Sequence, residues 1–244
     1  EAPLKIGFLS VVPTQILKWD KFHLENKVEA EPMTQAVQRT AGILKDKGAD
    51  IIILLSHTGM SNADDDLTQY GENQAILMAM MENIDGIVFG HTHDLFPNEE
   101  RLVADDRINI ETGTFNKIPM VQPGVSASHL GALNFELAYK ENKWFVKTAS
   151  SRLISSEDII LKDQEIEKYQ SAHEKVLNYL NTPIGTTDFP LHTYFTRVIP
   201  SRGVQLVSEA VVWYAKQLDV LKNSSLPIIG FNSAVKVGRD GPHD

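Results

Sequence analysis

Three histidines stand where a chain would hold metal ligands. Leu55-Ser56-His57-Thr58-Gly59 and Phe89-Gly90-His91-Thr92-His93 each follow a short apolar run. A neutral imidazole just past a buried strand is held by its backbone at the sheet edge, where it can point a ring nitrogen into a crevice and ligate a divalent ion. Gly90 lets the chain turn and lets main chain approach whatever is bound. His91 and His93 are two residues apart and need not share one ion, because at a two-metal site with ions ~3.5–4 Å apart successive ligands on one loop can each take a different metal. A single histidine at a strand end is commonly a hydrogen-bonded core or loop residue. Three in two such places, one pair written Gly-His-x-His, favour the ligand reading.

The elements that must position these side chains follow from length and residue type. Ile51-Ile52-Ile53-Leu54-Leu55 and residues 84–89 are short, rich in β-branched residues and bounded by turn formers, which predicts strands. Neither run alternates polar with apolar, so both faces are expected to be covered. Residues 5–12 predict an earlier strand, followed by a Pro13 loop that carries Trp19-Asp20-Lys21. Pro32 suits a first helical turn, and Ala36, Val37, Thr40, Ile43 and Leu44 fall on one helical face before Gly48. Strand, helix, strand implies a right-handed parallel crossover, and ligands in such sheets sit beyond the carboxyl ends of the strands. A second helix over 73–82 is expected to turn Ile76, Leu77, Met80 and Met81 inward. Asp64-Asp65-Asp66 reads as a solvated turn or helix start in preference to a cation site.

Beyond His93 the pattern changes. Residues 108–112, 119–122, 130–138 and 144–153 predict strands joined by short turns, hence antiparallel pairing in a two-sheet sandwich. Over 162–180, Ile166, Tyr169, His173, Val176, Leu177 and Leu180 recur at three- and four-residue spacing and predict a helix with one apolar stripe. Thr182-Pro183 and Gly185 stop it. Residues 184–196, a helix over 204–221 and a strand over 226–231 then begin something new, with 232–239 as a loop at the strand end.

With 244 residues, 42% hydrophobic and 23% charged, the chain can bury a substantial core in one large or two modest domains. A formal net charge of -9 argues against a basic footprint for duplex nucleic acid and does not favour an anionic membrane surface. Small phosphate esters remain compatible, since bound metal ions would supply local positive charge. Cysteine is absent, so there is neither a disulfide framework nor a thiolate metal site. No apolar run reaches the length of a membrane span, and none has the form of a signal peptide.

Ser56-His57-Thr58-Gly59 followed by Gly90-His91-Thr92-His93 resembles the later half of the calcineurin-like metallophosphoesterase signature. The order of parts resembles bacterial nucleotidases of the 5'-nucleotidase superfamily. Within it, Val12-Pro13-Thr14-Gln15-Ile16 with Trp19-Asp20-Lys21, Thr114-Phe115-Asn116-Lys117-Ile118-Pro119, Pro123-Gly124 and His129-Leu130-Gly131 resemble the 2',3'-cyclic-nucleotide 2'-phosphodiesterase/3'-nucleotidase branch.

The resemblance implies an α/β (α+β) fold: the C-terminal part of a four-layer αββα metallophosphoesterase sandwich over 1–158, a connecting helix over 159–183, and the start of a second α/β substrate-specificity domain over 184–244. It implies two divalent metal ions (Mn, Zn, Fe, Co or Mg), with His57 and His91 on one and His93 on the other. The family's Asp-x-His pair, bridging aspartate and Gly-Asn-His-Glu segment do not occur in the chain, so they and the catalytic histidine are expected to precede Glu1. Three imidazoles alone leave two divalent ions with four uncompensated charges and too few ligands. Asp94 and Glu111 lie near the histidines in sequence but read as a surface turn and a strand salt link.

The chain alone is therefore expected to bind metal weakly and turn over nothing, the full-length protein being a metal-dependent phosphoester hydrolase of nucleotides. Periplasmic, secreted or cell-wall placement follows from the same resemblance. Asn232, Lys236 and Arg239 occupy the loop where similar nucleotidases place substrate contacts, while Asn116 and His129 are candidates for supporting the ligands. His23 and His192 are expected in loops, His173 on the connecting helix and His243 at a frayed end. The rivals are a 5'-nucleotidase or UDP-sugar hydrolase on the same metals, a nuclease, and a non-catalytic metal- or nucleotide-binding module.

Overall fold

The computed structural model describes residues 3–61, 68, 70–98, 105–158, 163–192, 196, 198–218, 221–222 and 226–232, with side chains of the 163–192 stretch from residue 166 onward. The Asp64-Asp65-Asp66 run, Lys236, Arg239 and His243 lie outside them. By contact the chain divides into Glu1–Lys162 and Asp163–Asp244.

In the first unit, β1 (Ile6–Val11), β2 (Ile51–Ser56) and β3 (Gly86–Phe89) pair in parallel, with Val11 opposite Ser56 and Ser56 opposite Phe89. Helix α3 (Met33–Asp46) makes the crossover from β1 to β2, following the one-turn helices α1 (Ile16–Trp19) and α2 (Lys21–Leu24), the second of which contains His23. The buried face of α3 is Met33, Val37 and Ala41, with Ala36 and Leu44 packed beside it. Ile43, expected inward, is exposed, one step off the stripe that faces the sheet.

Helix α4 (Ala75–Ala79) is five residues long, not the ten that the apolar pattern suggests. It buries Ile76 and Met78, and because the chain leaves the helix at Met80, that side chain turns outward. β3 is well covered, but Leu55 on β2 and Ile6 and Phe8 on β1 are exposed, so two-face burial fails toward the β1 edge.

The largest departure from expectation concerns β7 (Ile118–Pro123). Predicted as part of an antiparallel array, it docks parallel to β3, with Ile87 opposite Met120 and Val88 opposite Val121. It then takes antiparallel partners in β4 (Leu95–Phe96) and β6 (Thr114–Phe115), and β5 (Ile108–Asn109) extends that side, which makes a mixed seven-stranded sheet.

β8 (His129–Lys140) and β9 (Lys143–Ser155) form a long antiparallel hairpin that lies over the sheet as a second layer. Close approach is made possible by missing side chains. A Cβ on Gly131 would meet Val121 at 2.7 Å, and one on Gly86 would meet Phe135 at 2.8 Å. Ser151 pins β9 to the turn before β6, its N–H donating to Thr112 O at 2.8 Å and its hydroxyl to Gly113 O at 2.8 Å.

The second unit contains α5 (Asp163–Leu180) and α6 (Arg202–Ala215). Residues 226–231 are not a strand. Pro227 removes a backbone donor, no ladder partner is present among the described residues, and Gly230 instead packs on Ser208 O and Val212 of α6. No helix among the described residues is long and apolar enough to cross a membrane.

Candidate metal centre

Register places every histidine loop at one edge of the sheet. β1, β2, β3 and β7 run in the same direction, so the loop 12–20, His57, His91, His93 and Gln122 all emerge at their carboxyl ends. The loops are tied together by main chain: His57 N–H donates to Val11 O at 2.9 Å and Gly90 N–H to Thr58 O at 3.2 Å. Gln15 reaches across to donate to Tyr70 O at 2.7 Å.

Thr58 is fully buried and acts as a hub. Its hydroxyl donates to Glu72 O and accepts from Gln74 N–H at 2.7 Å, while Gly59 N–H donates to Asn73 Oδ1 at 3.2 Å. The segment 72–74 is therefore stitched to the residues that follow His57, and with it come two neighbours of His91 that sequence spacing does not reveal. Glu72 Oε2 stands 3.3 Å from His91 Nε2, and the Trp19 ring stacks on the His91 imidazole with centroids 5.3 Å apart and planes at 21°.

His91 and His93 adopt φ of 76° and 62°, a conformation uncommon for residues with a side chain. The turning capacity expected of Gly90 is thus exercised by the histidines themselves, and a Cβ on Gly90 would meet nothing within 4 Å. Such strained residues persist when their surroundings hold them, and they gather at functional sites. Gln122 is buried and does the holding: with its carboxamide oxygen facing the loop, it accepts from His93 N–H at 3.2 Å, Asp94 N–H at 2.9 Å and the Thr92 hydroxyl at 2.9 Å.

His57 and His91 are neighbours, with ring centroids 5.1 Å apart and planes at 67°. An imidazole centroid lies about 3.2 Å from an ion bound at ~2.1 Å, so two rings on one tetrahedral ion have centroids about 5 Å apart. The 5.1 Å spacing of the pair matches that separation. His93 is exposed, and no group of three or more His, Cys, Asp or Glu residues capable of holding a metal gathers among the described residues. The described donors do not by themselves assemble a metal-binding cluster.

The other candidates separate by place. His129 Nδ1 lies 3.0 Å from Ser128 Oγ at the start of β8, and Gly124 N–H in the same turn donates to Asp94 O at 3.1 Å, two links from His93. Asn116 is not brought to the histidines. It sits with Lys117 in the two-residue turn entering β7, both at positive φ, at the amino end of a strand whose carboxyl end carries Gln122. That distance along the sheet, roughly 20 Å at ~3.3 Å per residue, is too far for a supporting hydrogen bond. Glu111 is exposed in the turn before β6, and Asn232 is exposed in the second unit.

No family model matches the chain. It is 30% identical over 243 residues to the trifunctional nucleotide phosphoesterase protein YfkN of Bacillus subtilis, covering 98% of this chain and 16% of that protein. To the 2',3'-cyclic-nucleotide 2'-phosphodiesterase/3'-nucleotidase of Haemophilus influenzae it is 32% identical over 244 residues, 96% of this chain and 37% of the relative. The crystal structure of the calcineurin-like phosphoesterase YfkN superposes with a TM-score of 0.68 at 30% identity, over 73% of this chain and 54% of that one. The chain shares the calcineurin-like phosphoesterase fold. Its mixed sheet and overlying hairpin match part of the YfkN sandwich. The chain spans well under half the length of the two curated relatives, and about half of the solved one.

Proposed function

We propose that the chain contributes the His57, His91 and His93 side of a two-metal centre in a phosphoester hydrolase whose substrates are 2',3'-cyclic nucleotides and 3'-nucleotides. The observation that carries this reading is the His57–His91 pair, at a spacing suited to one shared ion, beside a strained and braced His93 loop. The names of the B. subtilis and H. influenzae relatives support nucleotide phosphoesters as the substrate class.

A pair of bound divalent ions supplies charge neutralisation at the phosphoryl group and a water acidic enough to act as hydroxide near pH 7. The chain's own residues do the positioning. His57 and His91 offer neutral nitrogen donors, the Gln122 carboxamide fixes the His93 backbone, and the sheet edge holds both loops in register. The remaining donors, including carboxylates to balance charge, come from residues beyond this set, so this chain by itself is inactive. The boundary between compact units at Lys162/Asp163 supports 1–158 as a catalytic portion, α5 as a connector and the residues from 184 as the beginning of a substrate-specificity domain.

The deciding experiment compares hydrolysis of 2',3'-cyclic AMP, 3'-AMP and 5'-AMP by the full-length protein and by its His57→Ala, His91→Ala and His93→Ala variants. Turnover of the first two substrates, lost by at least two orders of magnitude in each variant, is expected. Preference for 5'-AMP would move the protein to the 5'-nucleotidase reading, and a metal-loaded but inert protein would refute the enzyme.

A further inference from the structure

Resting on that reading of the site, we propose that Glu72 is the positioning residue of the His91 ligand: its carboxylate takes the Nε2–H of the imidazole and so presents Nδ1 to the metal. Glu72 Oε2 lies 3.3 Å from His91 Nε2, and a hydrogen bond from the ring to that carboxylate oxygen places the proton on Nε2. The neutral ring then carries its lone pair on Nδ1, the form needed for ligation from that atom. Carboxylate–histidine–metal arrangements fix ring orientation and raise ligand basicity in this way.

Two further observations separate this contact from an incidental surface pair. First, the Glu72 backbone is not free to wander, since its carbonyl accepts from the buried Thr58 hydroxyl and the next residues bond to Gly59 N–H and Thr58. The carboxylate is therefore held by the loop that carries His57, the expected co-ligand of the same ion. Second, Trp19 stacks on the face of the same imidazole. With Trp19 stacked on the ring and Glu72 at Nε2, His91 has little rotational freedom left, and the His57 ring stands beside it in a T-shaped contact.

Measurement of Mn²⁺ affinity by equilibrium dialysis, on the full-length protein and on Glu72→Ala, Glu72→Gln and His91→Ala variants, tests the assignment without reference to turnover. Glu72→Ala is expected to weaken the affected site by about 10–100-fold, and Glu72→Gln, whose amide oxygen still accepts from Nε2–H, by less. Nitrogen-resolved NMR of the metal-free imidazole should show the Nε2–H tautomer in wild type and its loss as the dominant form in Glu72→Ala. Unchanged affinity in Glu72→Ala alongside a loss in His91→Ala would overturn the role of Glu72 and leave the metal reading intact. Unchanged affinity in His91→Ala would overturn both.

Discussion

Gly59→Ala puts the architecture of the histidine edge to a quantitative test. Gly59 lies between the two histidine loops, and a Cβ there would stand 2.3 Å from Thr92 Cγ2, 2.5 Å from Asn73 Oδ1 and 3.0 Å from Thr92 Oγ1. Carbon atoms settle about 3.5–4.0 Å apart, so Thr92 must withdraw by more than 1 Å or the two loops must separate. Thr92 has little room, since its hydroxyl is bonded to Gln122 and its N–H to Gly90 O at 3.0 Å. Overpacking of this kind costs about 1–3 kcal/mol. Displacing Asn73 from Gly59 N–H adds about 1 kcal/mol, and the stiffer unfolded chain returns about 0.4–1 kcal/mol because Gly59 lies outside the left-handed region.

The net destabilisation is about 1–3.6 kcal/mol, or roughly 2–14 °C in Tm for a folded unit of this size. Thermal and urea unfolding of the metal-free protein, followed by circular dichroism, reads it directly. Thr92→Ser deletes the nearest clashing methyl, so the double variant should recover about 1 kcal/mol relative to additivity. Additive effects within about 0.5 kcal/mol, or a Gly59→Ala protein as stable as wild type, would refute the claim that Gly59 and Thr92 lock the loops together.

Other expectations follow from single features. Phe115 is fully buried beneath the Arg107 guanidinium, 4.8 Å from its ring centroid, and Phe115→Ala should cost about 3–5 kcal/mol in urea unfolding. Gln122→Leu strands the His93 and Asp94 N–H groups and should cost about 1–3 kcal/mol while weakening metal binding at His93, measured by dialysis. The Glu136 carboxyl is held below its usual range first by the Lys147 ammonium and then by the Thr148 hydroxyl. Its small stabilising effect is present above the unfolded carboxyl pKa and lost as pH falls through the lower folded value. Lys147→Ala should therefore flatten the acid limb of the stability profile, an effect that 1 M salt erases.

What the sequence reveals about the site, and what it hides, has a consistent physical basis. The placement of His57, His91 and His93 at the sheet edge is legible because largely covered strands are short apolar runs and the residue after such a run falls at that edge. Glu72 and Trp19 are not legible, since their meeting with His91 depends on loops that fold back across 19 and 72 residues, and no local periodicity records that closure. The sandwich is legible in outline from the four later strands. The parallel placement of β7 is not, because a strand that follows a hairpin turn pairs with β6 locally while its other edge is free to choose β3. Met80 and the 226–231 segment fail for opposite reasons: one apolar stripe outruns its helix, and one apolar run contains Pro227 and has no ladder to join.

The Thr58 hub also has a kinetic consequence. The amides of Gly59, Gln74 and Gly90 donate to acceptors in neighbouring loops, and that of His57 to the last residue of β1, rather than within their own elements. None can exchange its proton with solvent unless an adjacent loop lets go. In a hydrogen-exchange experiment these four sites should open as one cooperative unit, with a shared protection factor above that of the exposed turn at Asn116 and Lys117.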